Sequence, residues 1–376
     1  MYKKSLVSLA VLSCLSAAAM AGDTVTFDDP TKPFVSDKLS IYGADINAAN
    51  ITITVTTPKT NGITAYGTFN LTAANDISIS GTANGIFTPT NHDNASISIK
   101  TDKNVTISGA WAVHSEGKGT ISIEAGNLVL KGGNGIAANS AGAVTVKAGT
   151  VSITGAEKYG VSSANTGGVK IEADKSLYIK GGSVNAVNGL NGAITLESKG
   201  TTVVDGDVLA KKATVKADFK GEGSSLSGAV ITEENGTTNL GFSDGALWTA
   251  EGASTVSELT LKGGIVDLNG HAVTAKKLAD KSVGTVRLDA GAETLGSFTV
   301  ENKDTTAELA VDLVQNADVV DEALAKKALA QIQTGDNTKV EAHVKEGLVN
   351  PDITFDKDGT TTSVGTNSLV QDTLDL

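Results

Sequence analysis

A short unit of alternating apolar and polar residues recurs along most of this chain. One form of the unit appears in DISISG (76–81), NVTISG (104–109), NLVLKGG (127–133), TVSITG (150–155) and SLYIKGG (176–182). A second form appears between them, in ASISIK (95–100), TISIEAG (120–126), AVTVKAG (143–149), GVKIEAD (168–174) and AITLESKG (193–200). Corner segments such as NGIF (84–87) and NGIAA (134–138) complete each cycle of roughly 23 to 28 residues, and the repeat loosens past residue 200.

Alternation places the apolar side chains of each segment on one face, and a single cycle cannot bury that face alone. Stacking cycles about 4.8 Å apart pairs the backbones and makes a continuous apolar interior. Three strands per cycle predict an all-β fold, a right-handed parallel β-helix, whereas a β-sandwich would lack this longer register. The position shared by successive cycles predicts one inward column: Ile79, Ile107, Leu130, Ile153 and Ile179.

Composition favours the same fold class. The chain has 42 glycines and 4% aromatic residues, which is typical of many short strands joined by tight turns. Glycine and Asn-Gly pairs at the corners are expected to adopt positive φ. The formal net charge is −12 and no basic patch stands out, so nucleic acid is not an expected partner.

The N-terminus has the form of a secretory signal peptide over residues 1–21. MYKK is a basic start, SLVSLAVLSCLSAAA is an apolar run, and the small residues Ala19 and Ala21 define a cleavage site before Gly22. The apolar run is too short and wrongly flanked for a membrane anchor. Cleavage there predicts export and removes the only cysteine, so the mature chain has no disulfide.

That cysteine raises an alternative form of processing. VLSC, ending at Cys14, faintly resembles a lipoprotein cleavage motif. Leu12 is bulky for its position in that motif, and the apolar run continues past the cysteine. Cleavage before Gly22 is therefore the favoured interpretation.

The segment LWTAEGASTVSELTLKGGIVDLNG (247–270) carries a family resemblance. It resembles the W…STV..L.L.GG.V.L stretch before the C-terminal junction of pertactin-like autotransporter passengers. In that family this region is the last and most stable part of the β-helix and is thought to nucleate folding during secretion. The resemblance in architecture extends over nearly the whole chain, whereas the resemblance in sequence motif is limited to about 25 residues. It implies a β-helix passenger over 22–245, an autochaperone-like junction over 246–310, and a strand–helix region with a linker over 311–376.

The segment ADVVDEALAKKALAQIQTG (317–335) changes to a helical period. Asp318 is a candidate N-cap and Gly335 a candidate C-terminal stop, which predicts a helix in a short C-terminal α/β junction region. NSLVQDTLDL (367–376) resembles the start of a second helix. The apolar residues four apart on one face of the first helix are Val320, Leu324, Ala328 and Ile332.

The family resemblance also implies a partner and a location. Autotransporters end in an outer-membrane translocator barrel, and these 376 residues contain no such segment. The expectation is a chain whose translocator is separate, or a truncated gene product. Export across the inner membrane is expected, with surface display or secretion if a translocator is available and periplasmic residence otherwise.

No constellation of catalytic, cofactor-binding or metal-ligating residues stands out in the sequence. The stretch KGGNGIAAN resembles a calcium-binding nonapeptide, but Ala137 replaces the acidic ligand. Asn61 and Asn134 are interpreted as turn formers. Scattered aromatic residues are interpreted as core or corner packing: Trp111, Tyr159 and Tyr178. The histidines have no partner at metal-binding spacing: His92, His114, His271 and His343.

These patterns favour a non-enzymatic surface or adhesin-type protein that binds a host or cell-surface glycan or protein. Two alternatives remain open. One is a secreted enzyme that acts on glycans, because β-helices can carry acidic clusters on one strand face. The other is a non-functional remnant of an autotransporter.

The cleavage site generates a first prediction. Mature protein recovered from the periplasm or the medium is expected to begin at Gly22. Intact-mass spectrometry would measure this directly. An acylated N-terminal Cys14 would show lipoprotein processing instead.

Overall fold

The computed structural model describes residues 24–37, 39–289, 294–314, 322–344, 353–356 and 361–364. The chain divides into two compact units, one ending at Val169 and the other beginning at Lys170. Each unit is a parallel β-solenoid, which confirms the predicted all-β, parallel β-helix fold. Among the residues described, no helix has the length and hydropathy needed to cross a bilayer.

The strands of the first unit are β1 (Thr24–Asp29), β2 (Phe34–Ser36), β3 (Leu39–Ile41), β4 (Gly43–Ala48), β5 (Ile51–Thr54), β6 (Ile63–Ala65), β7 (Thr68–Ala73), β8 (Ile77–Ser80), β9 (Asn84–Thr88), β10 (Ser96–Ser115), β11 (Thr120–Ala138), β12 (Ala143–Gly155) and β13 (Tyr159–Ala164). The next strand, β14 (Gly168–Lys180), begins at the end of this unit and belongs mainly to the second.

The second unit continues with β15 (Asn185–Leu190), β16 (Ala193–Ser198), β17 (Thr201–Asp205), β18 (Val208–Lys211), β19 (Thr214–Lys220), β20 (Ser225–Ser227), β21 (Val230–Glu233), β22 (Thr237–Ser243), β23 (Leu247–Thr249), β24 (Ser254–Asp267), β25 (Ala272–Leu278), β26 (Ser282–Asp289), β27 (Ser297–Val300), β28 (Ala307–Val314), α1 (Glu322–Leu329), β29 (Ile332–Gln333), β30 (Thr338–Val344), β31 (Ile353–Asp356) and β32 (Thr361–Val364). The pairings of β30 with β31 and of β31 with β32 are antiparallel.

The predicted inward column is confirmed within the first unit. Ile79 pairs with Ile107, Ile107 with Leu130, and Leu130 with Ile153, and all four side chains are buried. Ile179 lies in the second unit, where it is also buried and pairs with Val204. Because each fully buried aliphatic side chain contributes about 1.5–3 kcal/mol, such columns are the main stabilising term of each turn.

The corner glycines are required by close packing, which corrects the expectation of positive φ at the Asn-Gly corners. A Cβ on Gly85 would lie 2.4 Å from the Ile107 Cγ2 and 2.6 Å from the Ala112 carbonyl oxygen. A Cβ on Gly135 would lie 2.3 Å from the Ile153 Cγ2. Neither glycine has a positive φ. The missing side chain therefore makes room for the isoleucine column.

The two corner asparagines differ in their surroundings. Asn134 lies inside β11, so its interpretation as a turn former is wrong, whereas Asn61 lies in the connection between β5 and β6, as expected. Their side chains link neighbouring turns. The Asn84 Nδ2 donates to the Asn61 Oδ1 at 2.8 Å, and the Tyr159 backbone N–H donates to the Asn134 Oδ1 at 3.4 Å. These bonds satisfy polar groups where the chain bends.

Aromatic packing distinguishes the core of the second unit. Phe219 and Phe242 pair in adjacent turns and stack with ring centroids 4.7 Å apart. Trp248 stacks on Phe242 at 6.0 Å, is fully buried, and donates its Nε1–H to the Gly228 carbonyl oxygen at 3.1 Å. Because the indole N–H has a partner, this large side chain is buried without an unsatisfied donor.

The length of each turn explains why the repeat loosens after residue 200. Leu226 pairs with Trp248, 22 residues further on, Trp248 pairs with Val266 after 18 residues, and Val266 pairs with Val286 after 20 residues. The backbone ladder continues while the lengths of the connections between its strands vary. A constant sequence period is therefore lost without any loss of the fold.

The C-terminal helix is shorter than predicted. It spans Glu322–Leu329, and the predicted continuation to Gly335 is wrong because Ile332 belongs to β29 and pairs with Phe298 of β27. The pairing satisfies backbone groups of β27 that a longer helix would leave open, such as the Phe298 N–H, which donates to the Gln331 carbonyl oxygen at 3.0 Å. Asp318, Val320 and the predicted second helix over 367–376 lie outside the described residues.

Replacement of Trp248 by Ala is expected to destabilise the second unit by about 3–5 kcal/mol, because it empties a buried aromatic site. Trp111 is only half-buried in the first unit, so Trp111→Ala is expected to cost much less. Hydrogen exchange read by mass spectrometry would measure both. Turns of a solenoid contact mainly their neighbours, so exchange should rise around β22–β24 in the first variant. Equal effects of the two substitutions would contradict this account of the core.

Candidate functional site

One junction between strands carries an aromatic side chain in three successive turns of the first unit. Tyr42 is the single residue between β3 and β4, and Tyr66 with Gly67 joins β6 to β7. A longer loop, 89–95, joins β9 to β10 and carries His92. Because β7 pairs with both β4 and β10, these three junctions lie side by side.

The three rings pack edge to face. The Tyr66 and His92 ring centroids are 4.8 Å apart at an interplanar angle of 62°, and those of Tyr42 and His92 are 6.1 Å apart at 87°. Such pairs contribute about 0.5–1.5 kcal/mol beyond the area that they bury. Tyr42 remains 44% exposed and the other two rings are half-buried. The rings therefore hold one another in place while still presenting surface to solvent.

An open groove of about 610 Å³ lies along these rings. Its volume falls within the range of small-molecule sites, roughly 300–1,000 Å³. Hydroxyl, amide and carboxylate groups surround the aromatic surface. The polar residues that line the groove with the rings are Thr24, Asp45, Thr68, Asn70, Asn91, Asp93 and Asn94.

Close backbone approach shapes the floor of the groove. A Cβ on Gly67 would lie 2.1 Å from the Tyr42 carbonyl oxygen, so only glycine fits beside this turn. Asp45 of β4 and Asn70 of β7 occupy equivalent, exposed positions on neighbouring strands. The scaffold thus places these two polar side chains in a fixed row next to the rings.

The charge of the groove is acidic. Its lining includes the carboxylates of Asp45 and Asp93 and neither lysine nor arginine, among the residues described. The Lys118 Nζ lies 2.7 Å from the Asp93 Oδ2, and that carboxylate raises the pKa of Lys118. Asp93 is therefore already paired, which leaves Asp45 as the available carboxylate.

A second aromatic set lies on the outer face of the corner strands. The His114 ring stacks on Trp111 at 5.1 Å and contacts Phe87 at 5.3 Å. Burial lowers the pKa of His114 to about 4, although the Glu116 Oε1 lies 3.4 Å from its Nε2. Desolvation outweighs that carboxylate, so the ring is neutral near pH 7. The neutral Nε2 then accepts from the Asn139 Nδ2 at 3.0 Å.

The sequence analysis identified some of the residues at these sites and not others. Trp111 packs at a corner, as expected, whereas the Tyr42–Tyr66–His92 groove was missed. The available signal was the Tyr-Gly pair in IYG (41–43) and AYG (65–67), which are one repeat apart. His92 belongs to no group of potential metal ligands within the described ranges. The predicted cleavage residues lie outside those ranges: Ala19, Ala21 and Gly22.

Comparisons with family models, with curated proteins and with solved structures gave no match to this chain. The fold and the groove therefore carry the functional argument without a relative to support it.

The buried His114 generates a pH-dependent prediction. Its folded pKa lies below the ordinary 6.5, so the unfolded chain binds the proton more tightly and stability falls as pH falls between those values. Lowering the pH from about 7 to about 4.5 should cost roughly 2–3 kcal/mol through this side chain.

Urea unfolding followed by Trp111 fluorescence, in a Trp248→Phe background, would measure the effect against the same protein with His114→Gln. The glutamine variant should lose less stability on acidification, because it lacks the buried imidazole. The carboxylates titrate in both proteins, so their contribution cancels in the comparison. An identical pH dependence would show that His114 is not the buried neutral group described above.

Proposed function

We propose that this protein is an exported, non-enzymatic passenger-type protein that acts as a surface or adhesin-like binding protein. The observation that carries this proposal is the groove formed by Tyr42, Tyr66 and His92. A solenoid requires only its inward side chains for stability, yet three successive turns place aromatic rings at one outward-facing junction. Exposed aromatic clusters on a rigid scaffold are typical of recognition surfaces.

The proposed route of export rests on the N-terminal sequence and on the passenger resemblance. The signal-peptide pattern over 1–21 supports transfer across the inner membrane. The β-solenoid fold supports a passenger-like role, and display at the surface would require an outer-membrane translocator as a partner. Without that partner the proposed location is the periplasm.

An enzyme acting on glycans is the second candidate, since two carboxylates line the groove. Paired carboxylates can act as acid and base in glycoside hydrolysis. Asp93, however, is engaged by the Lys118 ammonium group at 2.7 Å, so it does not stand free beside Asp45 as the second member of a catalytic carboxylate pair would. Binding without cleavage is therefore the function that the geometry supports best.

A cell-binding assay tests the proposal. Beads coated with the chain from Gly22 onward should retain cells or extracellular matrix, and Tyr42→Ala with Tyr66→Ala should abolish most of that retention. Tyr159→Ala is the matched control, because Tyr159 is half-buried in the same unit but does not line the groove. Release of new reducing ends from the matrix would favour the enzyme. Equal retention by the double variant and the control would contradict a role for the groove.

A further inference from the structure

We propose that the Tyr42–Tyr66–His92 groove is a lectin-like site for a short oligosaccharide of uncharged pyranose residues. This inference rests on the proposed binding function and names the ligand class of the same site.

The aromatic rings supply the first argument. Tyr42 and Tyr66 each use part of their ring surface against His92, at interplanar angles of 87° and 62°. The remaining surface is an open aromatic wall, since Tyr42 is 44% exposed. The C–H-rich face of a pyranose fits such a wall, because the electron-rich ring face attracts partially positive hydrogens.

The arrangement also argues against a cation cage. A cage for an ammonium group needs several ring faces that converge on one point. Here Tyr42 remains 44% exposed and the rings border an open groove, so they present a surface rather than an enclosure. Of the two carboxylates in the lining, Asp93 is already held by Lys118, so Asp45 alone could balance a cationic ligand.

Strand pairing argues against an extended peptide. The groove runs along β4 and β7, and β7 pairs with β4 on one side and β10 on the other. β4 pairs in turn with β1. Both strands are therefore interior to the ladder, and a peptide could not be captured there by adding a strand. Affinity must come from side chains and ring surfaces.

The polar lining then matches neutral hydroxyl groups. Thr68, Asn70 and Asn91 offer both donors and acceptors, and Asp45 offers acceptors. No lysine or arginine of the described chain lines the groove, so the charge of a uronate, a sialic acid or a phosphate would be unpaired. Asp45 would also repel an anion. The lining thus selects uncharged sugars by electrostatics as well as by shape.

Saturation-transfer NMR on the full mature chain would test the ligand class, since it detects weak binding. The probes are tetrasaccharides of glucose, galactose and N-acetylglucosamine, with sialylated and galacturonate oligosaccharides and a lysine-rich peptide as comparators. Saturation is expected on pyranose C–H protons of at least one neutral sugar and not on the charged probes. Titration calorimetry on that sugar should show a dissociation constant raised about tenfold or more by Tyr66→Ala.

Two further variants and a folding measurement distinguish loss of binding from loss of structure. Tyr159→Ala should bind like the wild type, and circular dichroism would show that all variants retain the β-fold. Asp45→Lys should lower the preference for neutral over anionic sugars, because it replaces the repelling charge with an attracting one.

The outcomes separate the two proposals. Binding of the lysine-rich peptide or of anionic sugars in preference to neutral ones would overturn the ligand class. The absence of any probe binding would overturn it too, while groove-dependent cell retention would leave the binding function standing. If cell retention is also absent or independent of Tyr42 and Tyr66, the binding function itself fails.

Discussion

In-register parallel pairing of each turn with the next is the constraint on which both units depend. Within the first unit, Ile97 pairs with Ile121 and Ile121 with Val144, so the same inward position recurs in each successive turn. A shift by one residue would turn every apolar side chain outward, and the register is therefore strongly specified. The corner glycines follow from the same constraint, since Gly85 and Gly135 leave the space that the isoleucines of the column occupy.

This constraint favours variation in the connections between strands. An added residue inside a strand must be absorbed as a bulge, as between Thr101 and Asn104 of β10, but a loop can lengthen at small cost. The loop 89–95 is such an insertion, where the preceding turn uses only Tyr66 and Gly67. Its His92 packs on the tyrosines of two earlier turns. The groove thus depends on two features. The regular pairing of β4, β7 and β10 aligns Tyr42 and Tyr66, and the loop 89–95 is long enough to place His92 against both rings.

The same division explains what the sequence could predict. The inward column from Ile79 to Ile153 was predictable, because period-two alternation directly reports burial in a strand. The helix beyond Leu329 was not, because its periodicity competed with a strand edge that only the fold reveals. The groove depends on side chains from three successive turns, of which the two Tyr-Gly pairs were visible in the sequence and the loop geometry was not.

Turn length links stability to function in the two units. In the first unit, the turn from Phe69 of β7 to its partner Ile97 of β10 is long, because it includes the loop that builds the groove. In the second unit, the turn from Trp248 to its partner Val266 is short, and it begins at the fully buried stack of Trp248 on Phe242. Short connections lose less conformational entropy on folding and leave little chain for a recognition surface. We therefore expect binding to depend on the long turns of the first unit, and resistance to unfolding on the short, aromatic-rich turns of the second.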